Sequence, residues 1–262
     1  MSFADWRARM SGNAFDDADV ARAYDCRPPY APAMYEFLLG LAARKDCLVD
    51  LGCGPGKIAA ALAPSFGEVV GVDASGPMIE RARELFAGTH PNISWRHAPA
   101  EDAALPVHID LVTAGSSIHW MKHDVLFPML AQRTALVAVI AGDGPPAPAW
   151  QAEERVLLAD WLARIDIRFD PGGFATELRH FERWIDIQGE KQFRFGFEQS
   201  VADYVACQHS RATFSRARMG DDLAAAFDRE LGAVLAPFAE GGLLRFELVT
   251  DLTWGIPRET EK

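Results

Sequence analysis

Three glycines in five residues, "GCGPG" (Gly52 to Gly56), join the apolar run "CLVDL" (Cys47 to Leu51) to the alanine-rich "KIAAALA" (Lys57 to Ala63). A short apolar run bounded by turn residues reads as a buried strand, and an alanine-rich run as a helix. Glycine lets the backbone turn sharply between them and approach a ligand closely. Amide N–H groups at the helix start can then face negative charge. A strand leading through such a turn into a helix belongs to a parallel sheet covered by helices, so the flanking chain should alternate in kind.

It does so through residue 141. Met34, Phe37, Leu38, Leu41 and Ala42 recur at helical spacing before the first strand. The strand "EVVGV" follows "KIAAALA", and Ser75 can cap the next helix with Pro77 in its first turn. Met78, Ile79, Ala82, Leu85 and Phe86 give that helix one apolar face, and "NISWRHA", "IDLVTA" and "ALVAVIA" read as further strands. Five strands with crossover helices begin a doubly wound sheet.

Three prolines in "GDGPPAPAW" (Gly142 to Trp150) break the pattern. Two later segments alternate strictly: Phe193, Phe195 and Phe197 against Arg194 and Glu198, then Leu244, Phe246, Leu248, Leu252 and Trp254 against Arg245, Glu247, Asp251 and Thr253. Half-buried antiparallel strands carry that pattern. Between them Leu223, Phe227, Leu231, Val234, Leu235 and Phe238 mark an amphipathic helix. The expectation is α/β: a Rossmann-like, doubly wound seven-stranded sheet, mostly parallel with a C-terminal antiparallel strand, plus a helical cover over the active site. Residues 1–262 read as one domain, with a cofactor-binding core over about 19–141 and cover insertions over about 150–180 and 200–218.

With 262 residues, 49% of them apolar, the chain can fill a sizeable core. Its net charge of -11, with basic residues scattered among acids as in "RIDIRFD", repels a phosphate backbone, so nucleic acid is not an expected partner. No apolar run approaches the 18 or so residues of a membrane span, and "MSFADWRARMSGNAF" has no apolar core of a signal peptide. A cytoplasmic protein without a membrane partner, monomeric or homodimeric, is the expectation. Cys26, Cys47, Cys53 and Cys207 show neither CxxC spacing nor paired histidines, so no metal is expected.

The glycine spacing is GxGxG, with Lys57 where a dinucleotide fingerprint would place its third glycine, which disfavours a nicotinamide cofactor. Asp50, two positions before Gly52, suits a cationic ligand such as an amino-acid ammonium or a sulfonium better than a pyrophosphate. Asp73 ends the second strand, where a carboxylate can accept hydrogen bonds from both ribose hydroxyls.

In "VDLGCGPG", "VVGVDASGPMIERAR", "APAEDAALP" and "IDLVTAGSSIHW", in that order, the chain resembles the class I S-adenosylmethionine-dependent methyltransferases, in the small-molecule branch that includes trans-aconitate methyltransferase. The resemblance covers about Asp19 to Ala141 well and the remainder loosely. It implies S-adenosyl-L-methionine as cofactor, with Gly52 and Gly54 beside its methionine part and Asp50 holding the methionyl end. Asp73 would take the ribose, Ala74 and Met78 the adenine face, and Ala100 and Glu101 the adenine edge. Pro99 stands where many relatives carry an aspartate. "YDCRPPY" resembles the family's segment that folds over the cofactor, which makes Tyr24 and Arg27 lid candidates.

"AGSSIHWMKHD" (Ala114 to Asp124) invites a serine-hydrolase reading, but Ser116 and Ser117 lack the GxSxG elbow and lie too near His119 for that geometry to be assumed. In the methyltransferase reading Ala114, Gly115 and Ser116 pass near the transferable methyl, and Trp120 walls the acceptor pocket. His119 is the candidate catalytic base, set against a structural role in the loop. "RPPY" contains the Pro-Pro-Tyr of nucleic-acid amino-methyltransferases, yet Arg27 stands where that chemistry places Asn, Asp or Ser.

The expected reaction is methyl transfer to a small-molecule acceptor, at a carboxylate or hydroxyl oxygen. The alternatives are a methyltransferase acting on protein or RNA and a non-catalytic S-adenosylmethionine-binding protein. Trp150, Trp161, Phe169, Phe174, Phe181 and Trp184 could line an aromatic acceptor pocket, and Arg155, Arg164, Arg168, Arg179 or Arg183 could meet a carboxylate. His180 and His209 are further base candidates.

Overall fold

The computed structural model describes residues 15–134, 136–142, 145, 147–167 and 179–262. Strands β1 (Cys47–Leu51), β2 (Glu68–Asp73), β3 (Ile93–His97), β4 (Leu111–Gly115), β5 (Val137–Ala141), β6 (Ile185–Ser200) and β7 (Leu243–Pro257) form one seven-stranded sheet in the order β3-β2-β1-β4-β5-β7-β6. The first five strands pair in parallel, and β7 runs antiparallel to β5. This is the expected Rossmann-like topology. Its strand order reverses between β1 and β4, and the carboxyl ends at such a switch point are where open α/β sheets bind ligands.

The helices are α1 (Ala18–Ala23), α2 (Pro32–Leu41), α3 (Lys57–Leu62), α4 (Gly76–Leu85), α5 (His123–Ala131), α6 (Gln151–Arg164), α7 (Val201–Gln208), α8 (Arg216–Met219) and α9 (Asp221–Leu235). Ser75 caps α4 as its sequence suggests, its hydroxyl accepting from the Met78 amide at 3.2 Å. None of the helices among the described residues is long and apolar enough to cross a membrane.

The chain divides into two compact units. The first comprises 29–142, 174–193 and 250–262, and holds β1 to β5. Every residue of β1 is buried, as helices on both faces of a parallel sheet require. Val49, Leu51, Val70, Val72, Val112 and Val139 form a core with Leu126, Phe127 and Leu130 of α5. The second unit comprises 1–28, 143–173 and 194–249, and its core gathers Trp150, Trp161, Phe214, Phe227, Leu231 and Leu235.

The aromatic residues that could line a pocket are largely core, as the helical spacing around Trp161 favours. Trp150 and Trp161 are buried in the second unit, where the Trp161 indole N–H donates to Glu230 at 3.0 Å. Phe181 and Trp184 belong to the core of the first. Apolar faces at helical spacing bury such side chains before any ligand does. Arg168, Phe169 and Phe174 lie outside the described residues.

Candidate functional site

The glycine-rich turn is built differently at each glycine. Gly52, Gly54 and Gly56 all have positive φ (+63°, +53° and +89°), the left-handed region that glycine enters without steric cost. A Cβ on Gly52 would collide with the Ser117 side chain, coming within 2.8 Å of its Oγ. A Cβ on Gly56 would run into the Trp95 ring. A Cβ on Gly54 would meet no atom within 4 Å. The outer glycines are therefore packing requirements, and Gly54 is the one that presents open backbone.

Around Gly54 the polar groups are aligned. Its amide donates to Asp73 Oδ2 at 2.7 Å, and the Ser75 amide donates to Asp73 Oδ1 at 2.8 Å. The Cys53 amide is tied to the Val72 carbonyl at 3.0 Å, which fastens the turn to the end of β2. His97 Nε2 lies 3.0 Å from the Ala74 carbonyl and can donate to it. Ala74 is exposed, whereas Met78 and Ala100 are buried.

Asp50 is 1% exposed, directly beneath the turn. The Thr113 hydroxyl donates to its Oδ1 at 2.8 Å and the Ala59 amide to its Oδ2 at 3.1 Å. The pairing of β1 with β4 sets Asp50 beside Thr113. Burial pushes the Asp50 carboxyl up to about 7, with a smaller push from Asp73, against the pull of these two hydrogen bonds. Burial, and then the Asp50 charge, also raise the Tyr35 phenol.

After β4 the chain tightens. Ser116 adopts φ +52°, an uncommon conformation for a side-chain-bearing residue, while its amide donates to the Ile140 carbonyl at 2.8 Å. Gly115 has no room for a Cβ, which would lie 2.5 Å from Ile58 Cδ1 and 2.9 Å from the Tyr30 hydroxyl. The Ser117 hydroxyl donates to the Leu51 carbonyl at 2.7 Å, so it closes β4 onto β1 and is not poised as a nucleophile.

The 3-10 turn Ile118–Trp120 follows, in which His119 is buried and its ring centre lies 5.0 Å from that of Trp120. The Glu101 side chain, in the 3-10 turn Ala100–Asp102, is largely buried and meets Lys122 Nζ at 3.3 Å.

Tyr24 and Arg27 belong to the second unit. There the Arg27 guanidinium sits 4.0 Å from the Tyr24 ring centre, and its Nε donates to the Ser210 hydroxyl at 2.7 Å. His209 lies in that unit too, buried with Nε2 2.7 Å from Asp228 Oδ1 and Nδ1 2.7 Å from the Phe214 carbonyl. Both its nitrogens are engaged within the chain. His180 lies in the first unit, 3.0 Å from His123 through their Nδ1 atoms.

Of the expected site residues, Asp50, Gly52, Gly54, Asp73, Ala74, Met78, Ala100, Glu101, Ser116, His119 and Trp120 all lie in the first unit. Several of their partners carry no sequence signal. Thr113, Trp95 and Lys122 cannot be picked out from sequence, because strand register and turn contacts decide what they touch. Only the repeated small residues around Ser117 hint at close packing.

Residues 48–138 match the family model described as "Methyltransferase domain". The "Probable S-adenosylmethionine-dependent methyltransferase CRG1" of Saccharomyces cerevisiae is 30% identical over 118 residues, 43% of this chain and 40% of that protein. A trans-aconitate 2-methyltransferase of Delftia acidovorans is 27% identical over 208 residues, 74% of this chain and 71% of the relative. The chain thus spans well under half of the yeast relative's length. Among solved structures, one described as a type II methyltransferase from Anaeromyxobacter dehalogenans superposes with TM-score 0.63 at 22% identity. That match covers 90% of this chain and 99% of the other, and it establishes the shared fold. Residues 48–138 therefore match a methyltransferase domain, on the Rossmann-like fold that the solved structure shares.

Proposed function

We propose that this chain, whose residues 48–138 match a methyltransferase domain, transfers a methyl group from S-adenosylmethionine to a carboxylate or hydroxyl oxygen of a small molecule. The observation that carries the reading is Gly54. Its open backbone sits between a buried acid and a half-buried one at the switch point of the sheet, as a cationic amino-acid nucleoside requires. A phosphate-bearing dinucleotide would meet two carboxylates there.

The residues present fit that cofactor. Gly54 leaves backbone accessible beside its methionine part, Gly52 packs the turn that holds it there, and Asp73 accepts from the ribose hydroxyls. Ala74 and Met78 pack on the adenine, with Ala100 and Glu101 at its edge. Asp50 contributes negative charge beneath the methionyl end.

S-adenosylmethionine, when bound, supplies a methyl carbon activated by its sulfonium. An acceptor oxygen lone pair forms the new C–O bond as the C–S bond breaks, and sulfur keeps that electron pair in S-adenosylhomocysteine. The chain contributes alignment of the reacting atoms at roughly 3–3.5 Å and exclusion of water. Ser116 passes beside the methyl, and Trp120 walls the acceptor. A carboxylate acceptor needs no base; a hydroxyl would lose its proton to His119. The name of the Delftia relative, a trans-aconitate 2-methyltransferase, supports a carboxylate.

Calorimetry with S-adenosylhomocysteine, then turnover with methyl-labelled S-adenosylmethionine across a panel of carboxylic acids and alcohols, tests the reading. Micromolar or tighter binding and label in a small-molecule ester or ether are expected. Binding of NAD in place of S-adenosylhomocysteine, or label only in protein or RNA, would overturn it.

A further inference from the structure

We propose that His123 and His180 form a one-proton clasp that positions the turn carrying His119 and Trp120, and that the clasp opens when both imidazoles are charged. The contacts lie within the first unit, and only the acceptor-side role of that turn rests on the function proposed above.

The protons follow from the partners. His123 begins α5 and is buried, with Nε2 2.8 Å from the Ile118 carbonyl. A carbonyl only accepts, so Nε2 carries a hydrogen. The neutral His123 ring then has a lone pair on Nδ1, 3.0 Å from His180 Nδ1. Two ring nitrogens at that distance share one proton, so His180 Nδ1–H is the donor.

The ring planes differ by 16° and the centres lie 5.3 Å apart. An in-line N–H···N bond between near-coplanar rings gives that separation, and a face-to-face stack with nitrogens this close does not. A chain of donors thus runs from His180 through His123 to Ile118, the first residue of the turn Ile118–Trp120. Phe127 holds the His123 ring from the side, at 5.4 Å and 75°. Trp184, from the turn His180–Trp184, lies parallel to Phe127 at 6.2 Å.

The two rings differ in how they can accept a second proton. His180 can carry one on Nε2, which faces Glu261 Oε1 at 3.8 Å, and still donate through Nδ1. His123 cannot, because a hydrogen on each Nδ1 would set two donors against one another. The pair holds with one positive charge and fails with two.

The charged groups nearby are largely paired among themselves: Lys122 with Glu101, Arg179 with Glu182 and Glu190, and Arg183 with Glu261. Asp124 is exposed on the helix that His123 begins, Asp102 is exposed on the adjoining turn, and His119 lies in the turn itself. His180 thereby acts through His123, as a positioning residue.

Long-range imidazole nitrogen NMR on the full chain reads the tautomer. His123 should show protonated Nε2 and unprotonated Nδ1 at pH 8. Hydrogen exchange by mass spectrometry, corrected for intrinsic rates, should find residues 116–122 at least tenfold less protected at pH 5.5 than at pH 8. His180→Phe should lose that protection at both pH values. His180→Asn, whose amide can donate to neutral His123 or turn its oxygen to accept from the charged ring, should restore it and remove the pH dependence.

Protonated Nδ1 on neutral His123, or wild-type protection and pH response in His180→Phe, would overturn the proposal. S-adenosylhomocysteine affinity, measured in parallel, reports on the glycine turn and Asp73. Its absence in the wild type would count against the proposed function and leave the clasp standing.

Discussion

Asp50→Asn should make the protein more stable above pH 7 and abolish a pH dependence that the wild type shows. Both hydrogen bonds survive the change: the amide oxygen can accept from the Ala59 N–H, and the amide nitrogen can donate to the Thr113 hydroxyl. What disappears is a charge that burial disfavours. The wild-type carboxyl titrates near 7 when folded, against an ordinary 3.8.

Because the folded value is the higher one, the native state holds the proton more tightly. The resulting stabilisation is complete below pH 3.8 and is lost as pH rises through 7. Between those two values each pH unit removes about 1.36 kcal/mol, so the wild type gives up roughly 2.5 kcal/mol at this residue from pH 5 to pH 8. The asparagine is neutral throughout and gives up none.

Melting temperatures of both proteins at pH 5, 6, 7 and 8 measure the effect as a double difference that cancels every other titrating group. The gap should move by about 5–10 °C in favour of the variant as pH rises. Parallel curves would refute the reasoning, since they would mean that Asp50 titrates alike in folded and unfolded chains. An affinity readout separates its possible roles. A charge acting through space should cost S-adenosylhomocysteine less than tenfold in affinity, and mainly above pH 7.

The glycine turn offers a contrast between stability and binding. Gly52→Ala should cost about 3 kcal/mol in urea unfolding, from strain at positive φ and collision with Ser117. Gly54→Ala should cost only about 1 kcal/mol yet weaken S-adenosylhomocysteine binding at least tenfold, because its methyl group would enter open space. Asp73→Ala should weaken that binding about 10- to 100-fold by calorimetry, the worth of hydrogen bonds to a charged acceptor. With a carboxylate acceptor, His119→Gln should lower kcat less than tenfold and leave the pH profile unchanged; a larger loss with an altered profile would make His119 a base.

The sheet was legible in the sequence because its strands are short, apolar and bounded by turn residues. The runs at Cys47, Glu68, Ile93, Leu111 and Val137 each became a strand within a residue or two of their apolar limits. What sequence could not supply was register. Asp50 reads as a carboxylate for a cationic ligand, but it lies opposite Thr113, and its oxygens are occupied by that hydroxyl and by Ala59. The aromatic residues near Trp150 and Phe181 read as a pocket wall for a similar reason. Composition shows that such a side chain will be buried, but not what covers it.

Register also changes what "AGSS" means. Ser117 fills the space above Gly52 and donates to Leu51, while Thr113, four residues earlier, donates to Asp50. Two polar contacts from β4 and its following turn thus brace the end of β1 just before the glycine turn. The small residues after β4 are needed first for that bracing, because a larger side chain at Gly115 would meet Ile58 and Tyr30. Ser116 then takes a left-handed conformation between two fixed neighbours, so its strain is imposed from both sides. The same contacts that fix the start of the glycine turn therefore determine where the chain leaves β4, and a substitution at Ser117 should disturb the cofactor side and the acceptor side together.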